Sequence, residues 1–330
     1  MRKILFTCGD VNGIGPEIII KSLNSLTRKS GNKFYIVCPQ KAFLETTEII
    51  KPEFNFTFSD KFNGDVGKDF VSIITVNDVS ISYGKPTKSS GLTAFKAIKL
   101  AIELSNSGNV DAIITAPISK TAFKMAGVKF RGHTEMLAEY SNTKNFAMMF
   151  LSQKMNASLV SIHEPIKKVV GFITERKLFD TFDVVIQSLK NDFKIDKPKI
   201  AVLGLNPHAG ENGSIGEEEK KVIIPAIKKY HLKSLLAGPF SSDAFFANRM
   251  YNDFDIVIGM YHDQVLIPFK LLNFGGGVNY TAGLPIVRTS PDHGVAYDIA
   301  GKNLANPSSM MQAYKYAVKI LKNREKNVPG

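Results

Sequence analysis

A chain of 330 residues, 44% of them hydrophobic, can bury a large core, and its length suits two lobes of ordinary domain size. The formal charge of +12 would suit an acidic partner; the lysines are spread along the chain, which fits a solvated surface better than a nucleic-acid footprint, but a basic surface also draws in phosphorylated metabolites, so charge alone does not choose between metabolite and nucleic acid. Cys8 and Cys38 are the only cysteines and no run of about 18 apolar residues occurs, so a disulfide framework, a cysteine-rich zinc site and a membrane span are excluded, and a reducing cytoplasm is the expected compartment.

Short runs rich in Ile and Val alternate with longer amphipathic stretches, the pattern of a sheet covered by helices on both faces. The first predicted strand, 3–8, leads into Gly9-Asp10-Val11-Asn12-Gly13-Ile14-Gly15-Pro16-Glu17. This segment is neither a GxGxxG fingerprint nor a Walker loop, so its glycines read as a tight strand-to-helix turn with Pro16 in the first helical turn, and Asp10 is kept as a site residue. Strands at 34–38 and 71–76 follow, with loops at 63–68 and 84–90. The clearest helix begins near Gly91, capped by Ser89-Ser90, with Leu92, Phe95, Ile98, Ala101 and Ile102 inward and Lys96, Lys99 and Glu103 outward.

Three further predicted strands each end in a polar motif. Strand 112–115 runs into Thr115-Ala116-Pro117-Ile118-Ser119-Lys120, strand 199–203 precedes Asn206-Pro207-His208, and strand 255–258 precedes Met260-Tyr261-His262-Asp263. A parallel α/β sheet presents ligands beyond the carboxyl ends of its strands, so this recurrence marks a site. The stretch 274–291 reads as long and irregular, and a helix over 310–321 closes the chain.

Four of the six histidines, His163, His208, His262 and His293, stand in polar turns containing Gly or Pro. Imidazole is a common ligand for a borderline cation, although a hydrogen-bonded turn histidine is the ordinary reading of any one of them. His133 and Thr134 open a helix whose backbone N–H groups either hold an anion or are simply capped, with Glu135 favouring the dipole. The Gly275–Gly277 run allows close approach to a ligand or a plain flexible loop, and it lies between two cations, Lys270 and Arg288. Lys270 follows Ile267-Pro268-Phe269 and precedes Leu271-Leu272, an apolar setting in which a charge needs a purpose. The segment from Asp292 to Lys302 suits a loop around an adenosine, with Asp298 accepting from ribose hydroxyls, or a structural loop. Neither cysteine has a matching base and no Gly-x-Ser-x-Gly elbow is present, so covalent nucleophilic catalysis has no foothold.

Taken in order, Gly-Asp-x-x-Gly-Ile-Gly-Pro-Glu from Gly9, Thr-Ala-Pro-Ile-Ser-Lys from Thr115, Gly-His-Thr-Glu-Met-Leu from Gly132, Leu-Asn-Pro-His-Ala-Gly-Glu from Leu205, Tyr-His-Asp-Gln from Tyr261 and Arg-Thr-Ser-Pro-Asp-His-Gly from Arg288 resemble the 4-hydroxythreonine-4-phosphate dehydrogenase family. The resemblance implies the two-lobed α/β/α fold of isocitrate and isopropylmalate dehydrogenases, with lobes at 1–130 plus 290–330 and at 131–289 and the active site in the cleft between them. The second lobe would carry metal, substrate and dimer contacts. It also implies a homodimer with the metal site shared across the interface, NAD or NADP as cofactor, and one divalent ion per site, Zn, Mg or Co.

Carried over by motif, His163, His208 and His262 are the implied metal ligands, with His163 reaching the partner subunit's site. His133, Thr134, Lys270, Asn279 and Arg288 are the implied substrate contacts, and His293, Gly294, Asp298, Ile299 and Ala300 the cofactor contacts. Asp243, Asp263 and Lys120 are the candidate acid–base residues. The implied reaction is NAD-dependent oxidation and decarboxylation of 4-phosphohydroxy-L-threonine to 3-amino-2-oxopropyl phosphate and CO2, in pyridoxine and pyridoxal 5'-phosphate biosynthesis. The alternative is the same chemistry on erythronate or threonate 4-phosphate. More distant readings are a phosphate-acyltransferase-like enzyme without NAD and a basic nucleic-acid-binding protein. The sequence departs from the commoner family pattern at Val11-Asn12, where Pro-Ala is usual, and at Ser241-Ser242 before Asp243.

Overall fold

The apolar runs pair side by side because most are buried on both faces, and helices return the chain between them. In a computed structural model that describes residues 1–64, 67, 70–130, 132–273 and 275–326, the chain opens with β1 (Lys3–Thr7), α1 (Gly15–Lys29), β2 (Lys33–Val37), α2 (Gln40–Thr47), β3 (Asn55–Ser59) and β4 (Phe70–Ile74). It continues through α3 (Lys88–Asn106), β5 (Ala112–Thr115), α4 (Lys120–Met125), α5 (His133–Tyr140), β6 (Ala147–Leu151), β7 (Ala157–Leu159), α6 (Ile166–Phe172), α7 (Glu175–Phe193) and β8 (Ile200–Leu203). The rest is α8 (Ile224–Lys229), β9 (Leu236–Phe240), α9 (Ser242–Ala247), β10 (Ile256–Gly259), α10 (His262–Leu272), β11 (Val278–Ala282), β12 (Val287–Pro291) and α11 (Ser308–Glu325).

Contacts divide the chain into two units, Met1–Lys144 with Leu284–Leu321, and Asn145–Gly283 with the described residues from Lys322 on. In the first, six parallel strands run in the order β3, β4, β2, β1, β5, β12. In the second the order is β11, β6, β7, β10, β8, β9, with β6 antiparallel to both its neighbours and the other pairs parallel. The second unit's core gathers Phe150, Leu203, Phe245, Val257, Val265 and Phe269. It also holds the end of α11, where Arg324 Nε donates to the buried Asp192 carboxylate at 2.7 Å and Tyr280 donates to the same group at 2.6 Å. No helix among the described residues is long and apolar enough to cross a membrane.

Several expectations are corrected. The stretch 274–291 is not irregular: β11 and β12 lie inside it, and their Asn, Arg, Thr and Ser residues hid two strands whose partners supply the burial. β6 carries no strand signal in its sequence, since Ala-Met-Met-Phe-Leu favours helix, yet all five residues are buried. The edge strands β3 and β9, and the three-residue β7, were likewise unforeseen; β9 carries Pro239, which an edge strand tolerates. The α3 cap is Thr87, not Ser89-Ser90, with Ser90 completing a capping box, so the loop at 84–90 ends at Thr87. Leu92 and Phe95 are only half-buried, the inward face being formed by smaller residues such as Thr93, Ala94 and Ala97. Of the loop at 63–68, residues 65, 66 and 68 lie outside the described residues, as does Phe274 of the glycine-rich segment.

Candidate functional site

In the first unit the loop after β1 is threaded tightly. Gly9 has φ of 65°, and a Cβ there would sit 2.3 Å from the Pro117 carbonyl oxygen, so only glycine fits. Asp10 is fully buried and accepts from Asn12 N at 3.0 Å and from Tyr297 OH at 2.8 Å. Burial holds its carboxyl above the ordinary range despite those bonds. Asn12, one of the departures from the family pattern, donates to Lys85 O at 3.0 Å and Thr87 Oγ1 at 3.1 Å and accepts from Ser82 N at 2.8 Å. Ile14 N donates to Val295 O at 3.0 Å and Gly301 N to Glu17 Oε1 at 2.5 Å, so the loops at 9–17, 82–87 and 293–302 form one fastened set. Asp10 thus serves as an internal tie.

The carboxyl end of β5 and the start of β12 bring Thr115 and Arg288 together: Arg288 donates to Thr115 Oγ1 from Nε at 3.0 Å and from a terminal nitrogen at 2.6 Å. Arg288 is 2% exposed, and burial pulls its pKa down to about 9. Burial, and then the Arg288 charge, hold the His133 imidazole well below its usual value, so it is neutral at neutral pH. His133 Nε2 is buried without a partner, and Thr134 is buried beside it. A buried guanidinium, an imidazole and two threonine hydroxyls suit an oxyanion group of a small ligand. Lys120 is exposed at the first position of α4. In the loop 293–302, His293 Nδ1 lies 3.1 Å from Gly294 O and Nε2 is buried without a partner, Asp298 and Gly294 are exposed, and Ala300 is buried. The unpartnered imidazole nitrogen and the exposed carboxylate fit a dinucleotide.

The second unit carries the other histidines. The parallel pairing of β7 and β10 continues past both strands through Val160 N to Gly259 O at 2.9 Å, Ser161 N to Met260 O at 3.2 Å and Ser161 Oγ to Met260 O at 2.7 Å. That zipper brings His163 and His262 side by side, with ring centroids 5.8 Å apart. His262 Nδ1 is bonded to Asp263 Oδ1 at 2.7 Å; with the proton on Nδ1, the Nε2 lone pair is left for a metal. His208 lies in the turn Pro207–Gly213, where residues 208–212 all have left-handed φ, from 41° to 78°. Each L-residue held that way costs about 1–2 kcal/mol, so the turn must be supported from outside. Asp243, at the start of α9, is fully exposed; a bond from Ser241, the Ala244 amide and the neighbouring His208 hold its carboxyl below the ordinary range, which weakens it as a proton acceptor.

Three imidazoles are a sound donor set for a borderline divalent cation, and the His163–His262 pair fits one as far as it goes. Among the described residues, no group of three or more His, Cys, Asp or Glu side chains is gathered for a metal. Asn279, on β11, has a buried Oδ1 without a partner, as a ligand contact would. Lys270 corrects the local reading: it is exposed, and its apolar neighbours Ile267 and Leu271 are themselves 58% and 80% exposed, so α10 imposes no burial cost on the charge.

Two further residues organise this unit and were not singled out from the sequence. Gln264, in Tyr-His-Asp-Gln, donates to Gly204 O at 2.6 Å and Ser242 Oγ at 2.8 Å and accepts from Met260 N at 2.6 Å. Glu219, 2% exposed, accepts from Leu205 N at 2.6 Å and Asn206 N at 2.7 Å. Its setting, Glu217-Glu218-Glu219-Lys220-Lys221, looks like a solvated charge run, so no local signal marked it.

The fold is that of an α/β protein, with a buried Arg288 and its Thr115 partner in one unit and the adjacent His163 and His262 rings in the other. The chain belongs to the family described as pyridoxal phosphate biosynthetic protein PdxA, whose family model matches residues 31–317. A 4-hydroxythreonine-4-phosphate dehydrogenase from Sulfurihydrogenibium sp. is 40% identical over 98% of this chain and all of its own length. An Oceanobacillus iheyensis relative, provisionally named D-threonate 4-phosphate dehydrogenase, is 38% identical over 95% of this chain and 96% of its own. The crystal structure of 4-hydroxythreonine-4-phosphate dehydrogenase from Klebsiella pneumoniae superposes with a TM-score of 0.83 at 33% identity, covering 97% of this chain and 98% of that one. Isocitrate dehydrogenase from Methylococcus capsulatus shares the fold, with a TM-score of 0.50 at 14% identity over 98% of this chain and 87% of that one.

Proposed function

We propose that this protein is a metal-dependent, NAD- or NADP-linked dehydrogenase that oxidises and decarboxylates 4-phosphohydroxy-L-threonine to 3-amino-2-oxopropyl phosphate and CO2. The observation that carries the reading is the buried Arg288, paired with Thr115 and set beside a neutral His133, in a chain of this family. A buried planar guanidinium is suited to grip phosphate or carboxylate through two parallel bonds, and His133 Nε2 and Thr134 complete the contacts. Lys270 and Asn279 are the proposed substrate contacts of the second unit. Gly294, Ile299 and Ala300, with His293 and Asp298, would line the dinucleotide.

His163, His208 and His262 would hold the divalent ion, zinc, cobalt or magnesium. When bound, the nicotinamide supplies a hydride acceptor and the cation a Lewis acid. The chain's own part is to hold the substrate's anionic groups, to keep His133 unprotonated, and to orient His262 through Asp263. Asp243, Asp263 and Lys120 are the proposed acid–base residues; the bond from Ser241 holds the Asp243 carboxyl below the ordinary range. The protein would act as a homodimer with the metal site shared across the interface, as the family resemblance implies. The free, buried thiols of Cys8 and Cys38 suit a cytoplasmic setting.

The test is NADH formation from 4-phosphohydroxythreonine and from threonate or erythronate 4-phosphate, with and without a chelator that added divalent metal then reverses. Metal-dependent turnover of the amino acid is expected. Preference for the sugar acid would move the protein to the second reading, which the nearly equal identities of 40% and 38% to differently named relatives keep open. No NADH from any of them would withdraw the dehydrogenase.

A further inference from the structure

We propose that Glu219 is a positioning residue, whose carboxylate fixes the left-handed turn that aims the His208 imidazole and so sets the affinity for a divalent cation without touching it. The inference rests on reading His208 as a metal ligand. His208 is exposed, so little packing can fix its ring, and the backbone carries most of its direction. That backbone runs through five consecutive left-handed residues, of which only Gly210 is glycine. L-residues do not sustain such a run unaided.

The support comes from below. Glu219 Oε1 accepts from the backbone amides of Leu205 and Asn206 at 2.6 and 2.7 Å, two of the three residues that connect the end of β8 to the turn, and Oε2 accepts from Asn206 Nδ2 at 2.9 Å. Asn206 O in turn accepts from Ala209 N at 3.1 Å, which closes the first reversal around His208. Three glycines make room for this arrangement. A Cβ at Gly210 would lie 2.6 Å from Glu219 Oε2, one at Gly204 3.1 Å from Oε1, and one at Gly216 2.4 Å from Asn206 Nδ2. Glu219 itself opens the π-helical turn Glu219–Ile223, a distortion that recurs at functional sites. A buried carboxylate is a costly way to fill space, and here its contribution is geometric: it collects the N–H groups that a left-handed turn leaves exposed at its root.

The experiment is cobalt(II) binding to the full-length protein, read both as a dissociation constant by calorimetry and as the visible absorption of the bound ion, for Glu219→Ala, Glu219→Gln and His208→Ala. Glu219→Ala is expected to weaken cobalt binding by about ten- to a hundredfold and to alter the absorption bands, while NAD affinity stays at the wild-type value. Glu219→Gln keeps one acceptor for the two backbone amides and should fall between, about two- to tenfold weaker, with bands displaced in the same direction. Wild-type affinity and spectrum in Glu219→Ala would overturn the proposal; should that variant not fold, wild-type affinity and spectrum in Glu219→Gln would overturn it. His208→Ala separates the two readings. If it abolishes cobalt binding while the Glu219 variants bind normally, the positioning role alone fails; if it binds cobalt normally, the metal assignment fails.

Discussion

Arg288 and His133 illustrate how much chemistry follows from removing single groups from water. The guanidinium keeps its charge at neutral pH although burial lowers its pKa to about 9, and its fork is anchored on Thr115. Arg288→Lys retains a charge but loses the planar fork, and the expected result is a rise in substrate KM of roughly thirtyfold, about 2 kcal/mol of charged hydrogen bonding, together with a lower melting temperature because the buried Thr115 loses its partner. Steady-state kinetics together with thermal melting check it. His133 makes a pH prediction. Its folded pKa lies well below the usual 6.5, so the unfolded chain binds the proton first as pH falls, and stability present above pH 6.5 is lost as pH drops from there toward the folded value. The melting temperature should therefore decline between pH 7 and pH 5, and His133→Gln should decline less steeply over that window; parallel curves would contradict the assignment of the effect to His133.

Strand ends and the turns that follow them are where elements become a site. Register alone brings His163 and His262 together, since each lies just past a strand of the same parallel pair and the zipper continues beyond both strands. Gln264 then ties the segment after β10 to Gly204 after β8 and to Ser242 at the start of α9. Gln264→Leu fills similar volume but leaves a buried amide, a carbonyl and a hydroxyl without partners. The expected loss is about 2–4 kcal/mol in urea unfolding, together with weaker metal binding because the segments of His208, His262 and Asp243 all lose a common tie. A loss below about 1 kcal/mol would show that water replaces the amide readily. Elements such as β6, β11 and β12 were illegible for a related reason: their residues favour other structures in isolation, and only the strands beside them decide the outcome.

For the whole molecule, the proposed shared metal site can be tested by mixing two inactive proteins. His163→Ala and His208→Ala should each abolish metal-dependent turnover. If each site takes His163 and His208 from different chains, a mixed dimer restores one intact set, and equal amounts of the two variants, unfolded and refolded together, should recover about a quarter of wild-type activity. If each chain builds its own site, recovery should be nil. Sedimentation velocity on the same mixture separates failure to associate from failure to complement.

Much was fixed locally. The alternation of Ile- and Val-rich runs with amphipathic stretches specified an α/β fold, because hydrophobic period is a property of the chain itself. The motifs that follow β1, β5, β8 and β10, those at the start of α5 and in β12, and the order in which they occur, carry the family resemblance. Distances between segments far apart in sequence were not written in either. That Arg288 would sit buried on Thr115, 173 positions away, that Asp10 would turn inward to Tyr297 rather than outward to a ligand, and that Lys270 would lie on an exposed helix face were decided by which strands pair and which loops meet. Glu219 is the clearest case: in sequence it is one carboxylate in a charged run, and it becomes the support of the His208 turn only because the π-helical turn folds back against the segment after β8, where burial and three convergent N–H groups give the same side chain a different task.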